Sequence, residues 1–162
     1  MELWDIYNKD RQKTGKYHER GKEMNEGDYH LVVHVWIVNN QGQILIQKRQ
    51  PWKIGCPNMW DCSAAGSAIK GDSSLLAALR ETKEELGIDF DINKAKMLFT
   101  KTFSRGFDDV WLVRQNFDID DLSLQYEEVA DAKWASKQQI NEMIKAGEFI
   151  DYSYIGKIFE MF

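Results

Sequence analysis

The hydrophobic pattern changes period several times along the chain, and each change marks an expected element. Tyr29 to Val38 (YHLVVHVWIV) is a nearly unbroken run of β-branched and aromatic residues, the pattern of a strand covered on both faces. Asn39-Asn40-Gln41-Gly42 is a hairpin turn signal leading into a second strand, Gln43 to Arg49. Before them, Glu2 to Tyr7 alternates apolar and polar residues and predicts a short strand. Asn8 to Gly15 (NKDRQKTG) is polar and ends in glycine, so it reads as a turn or loop, and Lys16 to Asp28 is also polar, with Gly21 and Gly27. Gln50 to Met59 holds Pro51, Gly55 and Pro57 and predicts a loop; Trp60 to Ala65 predicts a short strand running into Gly66.

A helical period follows. Leu75, Leu76, Leu79 and Leu86 predict one packed face of a helix that Asp72 or Ser73 caps and Gly87 stops. Lys96–Phe103 and Val110–Phe117 read as strands around a loop, Ser104 to Asp109, and Val129–Ala135 as a last strand. Ser136 with Gln139 three residues on is a capping-box pattern, predicting a helix from Lys137 to about Ala146; a final helix is expected from about Tyr154 to Met161. Strands dominate, without a regular βαβ rhythm. The expected fold is therefore α/β: a single domain over residues 1–162, a compact sandwich around a mixed sheet.

Composition narrows the function. The chain is 43% apolar and 29% charged, as soluble globular proteins are, and its net charge of -5 argues against a nucleic-acid duplex or an anionic membrane as main partner. A small phosphate ligand is still compatible, through a metal and a local basic patch. Two cysteines, Cys56 and Cys62, make neither a disulfide framework nor a structural zinc site. No apolar run approaches membrane-spanning length and MELWDIYNKD is not a signal peptide, so the cytoplasm is the expected location.

The predicted helix that ends at Leu86 carries chemistry as well as packing. Glu81, Glu84 and Glu85 are spaced i, i+3, i+4 and fall within roughly 100° of one face. Like charges so placed destabilise a helix by a few tenths of a kcal/mol per pair. A hard cation, Mg²⁺ or Mn²⁺, would remove that penalty.

The stretch Gly66 to Ile88 (GSAIKGDSSLLAALRETKEELGI) resembles the Nudix box: Gly66, Arg80, Glu81, Glu84, Glu85, Gly87 and Ile88 all fall at its fixed positions. Asp72 stands where the first Glu of that pattern is expected, and Thr82 where an apolar residue is usual. The resemblance implies an α/β/α sandwich and a Mg²⁺-dependent (or Mn²⁺-dependent) hydrolase of a diphosphate joined to another group, often a nucleoside. It implies that Glu81, Glu84 and Glu85 hold the metal. One of them, with Glu84 the choice here, or a carboxylate from elsewhere, takes the proton from water. Arg80 orients the carboxylates, and Asp72 joins the catalytic set with a side chain one methylene shorter than the usual Glu. An acidic residue beyond the box often completes such a site; Glu127 and Glu128 are the candidates, with Asp108 and Asp109 weaker ones.

Ile44 to Gly66 resembles the corresponding region of isopentenyl-diphosphate isomerases. The isomerase pattern needs a cysteine immediately before the glycine and a histidine immediately after it, where this chain has Ala65 and Ser67. Cys62 lies three residues early and, by strand alternation, on the opposite face from position 65. The resemblance thus implies an isomerase-like branch of the hydrolases, with isomerisation and a non-catalytic nucleotide-binding module as rival readings. Lys48, Arg49 and Lys53 are the candidates for holding substrate phosphates. His30 and His34 share a strand face with Trp36 and read as core or pocket-lining residues. A small-molecule diphosphate is the expected partner, and a homodimer, the commonest oligomer, the expected assembly if there is one.

Overall fold

The computed structural model describes all 162 residues. Its centre is β3 (His30–Val38), whose side chains alternate between two hydrophobic cores. Val33, Val35 and Ile37 point into one, with α1 (Ser74–Leu86) packed over them through Ala77, Ala78 and Leu86. Trp36 and Val38 point into the other, covered by α2 (Lys137–Lys145) and α3 (Ile155–Phe159) through Ile140, Met143 and Ile158. The result is the expected α/β/α sandwich. A strand covered on both faces must be apolar at successive positions, which is why its sequence shows so little alternation.

Seven strands form the sheet. One edge of β3 pairs in parallel with β8 (Gly106–Arg114), which pairs antiparallel with β7 (Ala95–Phe103). The other edge is shared. Its C-terminal end pairs with β4 (Gln43–Arg49), through Ile37↔Leu45 and Val38↔Ile44, while its first half pairs with β6 (Ala64–Ser67). Beyond Leu45 strand β4 leaves β3 and pairs on that edge with β5 (Trp60–Asp61), while its other edge pairs with β9 (Val129–Ser136) along the whole strand. Ser63 sits where the strands part: its buried Oγ accepts from the Ile37 amide at 2.8 Å and donates to the Leu45 carbonyl. The sheet is thus split and pinned at the split, and the opening beside it is where the candidate site lies.

Several expectations are corrected. The stretch read as one strand, Trp60–Ala65, is two, β5 and β6, separated where the chain changes partner at Cys62–Ser63. Lys13–Gly15, expected as turn or loop, and the polar residues Lys16–Glu19 after it form strand β2 (Lys13–Glu19), which makes an antiparallel hairpin with β1 (Leu3–Tyr7). Five of its seven residues are exposed, so it has no buried face to write a pattern. Strand β8 begins at Gly106 rather than Val110, joined to β7 by only Ser104 and Arg105. Asp108 and Asp109 are therefore strand residues, not loop residues, and both are buried. In α1, Ser73 caps the first turn by accepting from the Leu76 amide, and Gly87 ends the helix at φ 73°. Leu76, expected on the packed face, is 53% exposed; α1 buries Thr82 and Glu85 instead.

Candidate active site

A cleft of about 500 Å³ opens beside the split. Its acidic wall is α1, with Glu81, Glu84 and Glu85; Ala65, Gly66 and Ser67 of β6 lie beneath them. Arg49 of β4 and Lys53 of the following loop line it as well, with Val32 and His34 of β3 and Ile150 and Tyr152 from the segment after α2. Glu2 and Arg20 come from the β1–β2 hairpin.

Gly66 has a direct steric cause. A Cβ there would collide with the carboxyl group of Glu81, so only glycine lets that carboxylate lie against the β6 backbone. Arg80 then fixes the carboxylates. Its Nε and Nη2 donate to Asp72 Oδ2 at 3.1 and 3.0 Å, and Nη1 donates to Glu81 Oε1 at 2.8 Å and Glu84 Oε2 at 3.2 Å. Nη2 also donates to the Ser67 carbonyl at 3.0 Å. Asp72, itself bonded by the Ile69 amide, stands behind Arg80 and does not line the cleft. Its short side chain reaches Arg80, so its place is that of an anchor for the guanidinium.

Glu85 departs from the expected solvated face. It is 7% exposed, and its Oε2 accepts from Gln47 Nε2 at 2.5 Å and from the Ala65 amide at 3.3 Å. Burial, reinforced by the charges of Glu81 and Asp61, pushes its carboxyl well up. Burial also raises Glu81 to about 7, against the opposing pull of Arg80. Two of three neighbouring carboxylates are thus held where negative charge is costly. No three acidic, imidazole or thiol groups already converge as a closed ligand cage; Arg80 and Gln47 engage one oxygen of each of the three carboxylates. The donors nonetheless fit a hard divalent ion: they are all oxygen, share one wall and sit where a cation would offset their burial.

The remaining candidates divide. Arg49 donates through Nε to the Gly55 carbonyl at 2.9 Å and through Nη1 to Asp61 Oδ2 at 3.4 Å, within the cleft lining. Lys53 lines it in an ion pair with Glu128, also a lining residue. Lys48 and Glu127 do not line it; Glu127 is exposed, with its carbonyl accepting from Trp52 Nε1. Cys62 is fully buried against the α2–α3 core, and Ala65 packs against that same core. The expected opposition of these two positions fails because the chain changes partner between them. Burial pushes the Cys62 thiol well up, away from reactivity.

Sequence reasoning gave no role to Gln47, Asp61, Tyr152, Arg20 or Glu2. Tyr152 donates to Asp61 Oδ1 at 2.5 Å. The pairing of Asp61 with a tyrosine 91 positions away leaves no local signal. Arg20 follows a strand that had no pattern. His30, by contrast, is not in the cleft: it stacks on Trp4 at 4.3 Å.

An α/β/α sandwich with a glycine-cradled carboxylate helix at a split in its sheet is the architecture of a Nudix-type hydrolase. Residues 28–155 match the NUDIX domain, and the chain belongs to that family. It is 48% identical over 161 residues to an uncharacterized Nudix hydrolase of Listeria monocytogenes, covering 99% of this chain and 95% of that protein. Similarity to isopentenyl-diphosphate Delta-isomerase 2 of Photorhabdus laumondii is lower, 26% over 125 residues, covering 74% of this chain and 69% of the isomerase. Among solved structures, DR0079 from Deinococcus radiodurans superposes with a TM-score of 0.78 at 23% identity, covering 99% of this chain and 98% of that one, a likeness of fold.

Proposed function

We propose that this Nudix hydrolase cleaves a phosphoanhydride linkage, with Mg²⁺ or Mn²⁺, in a nucleotide or a nucleoside diphosphate derivative. The observation that carries this reading is one cleft holding the Glu81–Glu84–Glu85 wall together with Arg49 and Lys53. Glu81, Glu84 and Glu85 would hold the ion, which supplies charge neutralisation at phosphate oxygens and acidifies bound water. Arg80 keeps Glu81 and Glu84 aimed together, and Asp72 keeps Arg80 in place. Arg49, braced by the Gly55 carbonyl, and Lys53, released from Glu128, offer N–H donors to the substrate's phosphates. The cleft's volume of about 500 Å³ suits a ligand of nucleotide size. Free thiols at Cys56 and Cys62 suit a reducing cytoplasm. No helix is long and apolar enough to cross a membrane.

The test is a hydrolysis screen over nucleotides, nucleotide sugars, dinucleotides and prenyl diphosphates with Mg²⁺, with products identified by mass. A cleaved phosphoanhydride is expected. Conversion of isopentenyl to dimethylallyl diphosphate without phosphate release, or tight nucleotide binding without turnover in either metal, would overturn the reading.

A further inference from the structure

Hydrolysis requires a group that takes a proton from the attacking water, and each carboxylate lining the cleft already has at least one oxygen engaged. Glu81 and Glu84 bind Arg80, Glu85 binds Gln47, and Glu128 binds Lys53. Asp61 accepts from Tyr152 and Arg49, and Glu2 from Arg20. His34 differs. Its Nδ1 lies 2.9 Å from Asp108 Oδ2 and 2.7 Å from the Tyr154 hydroxyl, while its Nε2 has no protein partner and is not buried. The ring lines the cleft. A carboxylate at this distance repels a lone pair on Nδ1 and favours the ring's hydrogen there, with the Tyr154 hydroxyl oxygen to accept it, which leaves the Nε2 lone pair open.

The support beneath the ring is unusual for a merely structural histidine. Asp108 is 6% exposed, and its Oδ1 is buried without a partner. Leaving such an oxygen unsatisfied disfavours the folded state. A positive charge arising on the adjacent imidazole would offset that cost. Trp36 Nε1 donates to the Tyr154 hydroxyl at 3.3 Å, and the Tyr152 ring meets the imidazole edge-on at 5.0 Å, so the ring is held from two elements.

We propose that His34 is the catalytic base of this cleft, positioned by Asp108 and Tyr154; the role rests on the hydrolase reading above. Nε2 accepts a proton from water as the water oxygen bonds to phosphorus. The bridging P–O bond breaks, and its electron pair leaves on the departing phosphate oxygen. The imidazolium, facing the Asp108 carboxylate, then returns its proton to the leaving group or to solvent. The titratable groups around the ring are Asp108 from β8 and Tyr152 and Tyr154 from the C-terminal segment. Asp61 and Arg49 of the β5–β4 side and Glu85 of α1 stand on the other walls.

The experiment compares wild type, His34→Gln and Asp108→Asn on the best substrate from the screen, with Mg²⁺, across pH 5–9. His34→Gln should lower kcat by about 10²–10⁴-fold and abolish the acidic limb of the kcat/KM profile, with KM moving less than about threefold. Asp108→Asn should shift that limb and lower kcat less. A folded His34→Gln enzyme with kcat within about threefold of wild type, or an unchanged acidic limb, would overturn the assignment. In wild type, ¹⁵N NMR should show the Nδ1-protonated neutral ring, titrating at the pH of the kinetic limb. The opposite tautomer, or a midpoint more than about one unit from the limb, would overturn it even if the variants fail to fold. A wild type that cleaves nothing in the screen removes the hydrolase reading and this role with it. A wild type that cleaves while His34→Gln cleaves equally well removes this role alone.

Discussion

At Gly66 the missing side chain is filled by a neighbour's carboxylate. Gly66→Ala should therefore drive Glu81 from the β6 backbone at little cost by denaturant titration, because the colliding atoms end a flexible side chain, while lowering kcat more than KM. Glu85 gives the complementary case. Because burial disfavours its charge, Glu85→Gln should leave stability unchanged or raised in a melt, while the role proposed for it in holding the metal requires kcat to fall by orders of magnitude. Both residues were legible in the sequence as motif positions. That Glu85 is buried was not, because its partners, the Gln47 side chain and the Ala65 amide, come from β4 and β6, at a meeting of strands that only the split sheet creates. Asp72 shows the same limit: its position in the motif suggested catalysis, and its bonds to Arg80 show an anchor.

Among the elements, the β1–β2 hairpin was the least legible. It is held to the sheet by the Tyr7–Tyr29 bridge, the Trp4–His30 stack and the bonds of Arg11 to Asp109, which Thr100 also meets at 2.6 Å. None of these contacts leaves a periodic trace, whereas α1 and α2 announced their caps, Ser73 and Ser136 with Gln139, in the residues themselves. The hairpin carries a pH consequence. Burial lowers His30 from 6.5 to about 4, so the unfolded chain takes up this proton first as pH falls. The neutral ring's contribution is whole above about pH 6.5 and is lost progressively down to about pH 4. The loss should be on the order of 2 kcal/mol after allowance for the ring's partial exposure. Urea titrations at pH 7 and pH 5 should show wild type losing stability and His30→Phe, which keeps an aromatic surface for Trp4, losing less.

Across the whole molecule, the class of fold was readable because β3 is apolar toward both cores, a demand that only a doubly covered sheet makes. The cleft was not, since it arises from β4 leaving β3 for β5 after Leu45, a choice of partners rather than a pattern of residues. Ser63 holds that divergence. Ser63→Ala should strand the buried Ile37 amide and Leu45 carbonyl, costing about 1–3 kcal/mol for the groups left unsatisfied, and turnover should fall with it as the walls lose registration. Chemical denaturation paired with steady-state kinetics measures both.

The same cleft draws Glu2 and Arg20 from the beginning of the chain and Ile150 and Tyr152 from near its end. Its construction is therefore a problem in time as well as in space. As the polypeptide emerges during synthesis, the carboxylate helix is available long before Asp108, Tyr152 and Tyr154 exist to complete the opposite side. β3 must also wait for a parallel partner about seventy residues later, the kind of distant pairing that slows folding. The nascent chain thus acquires its negative charges early and the finished pocket last.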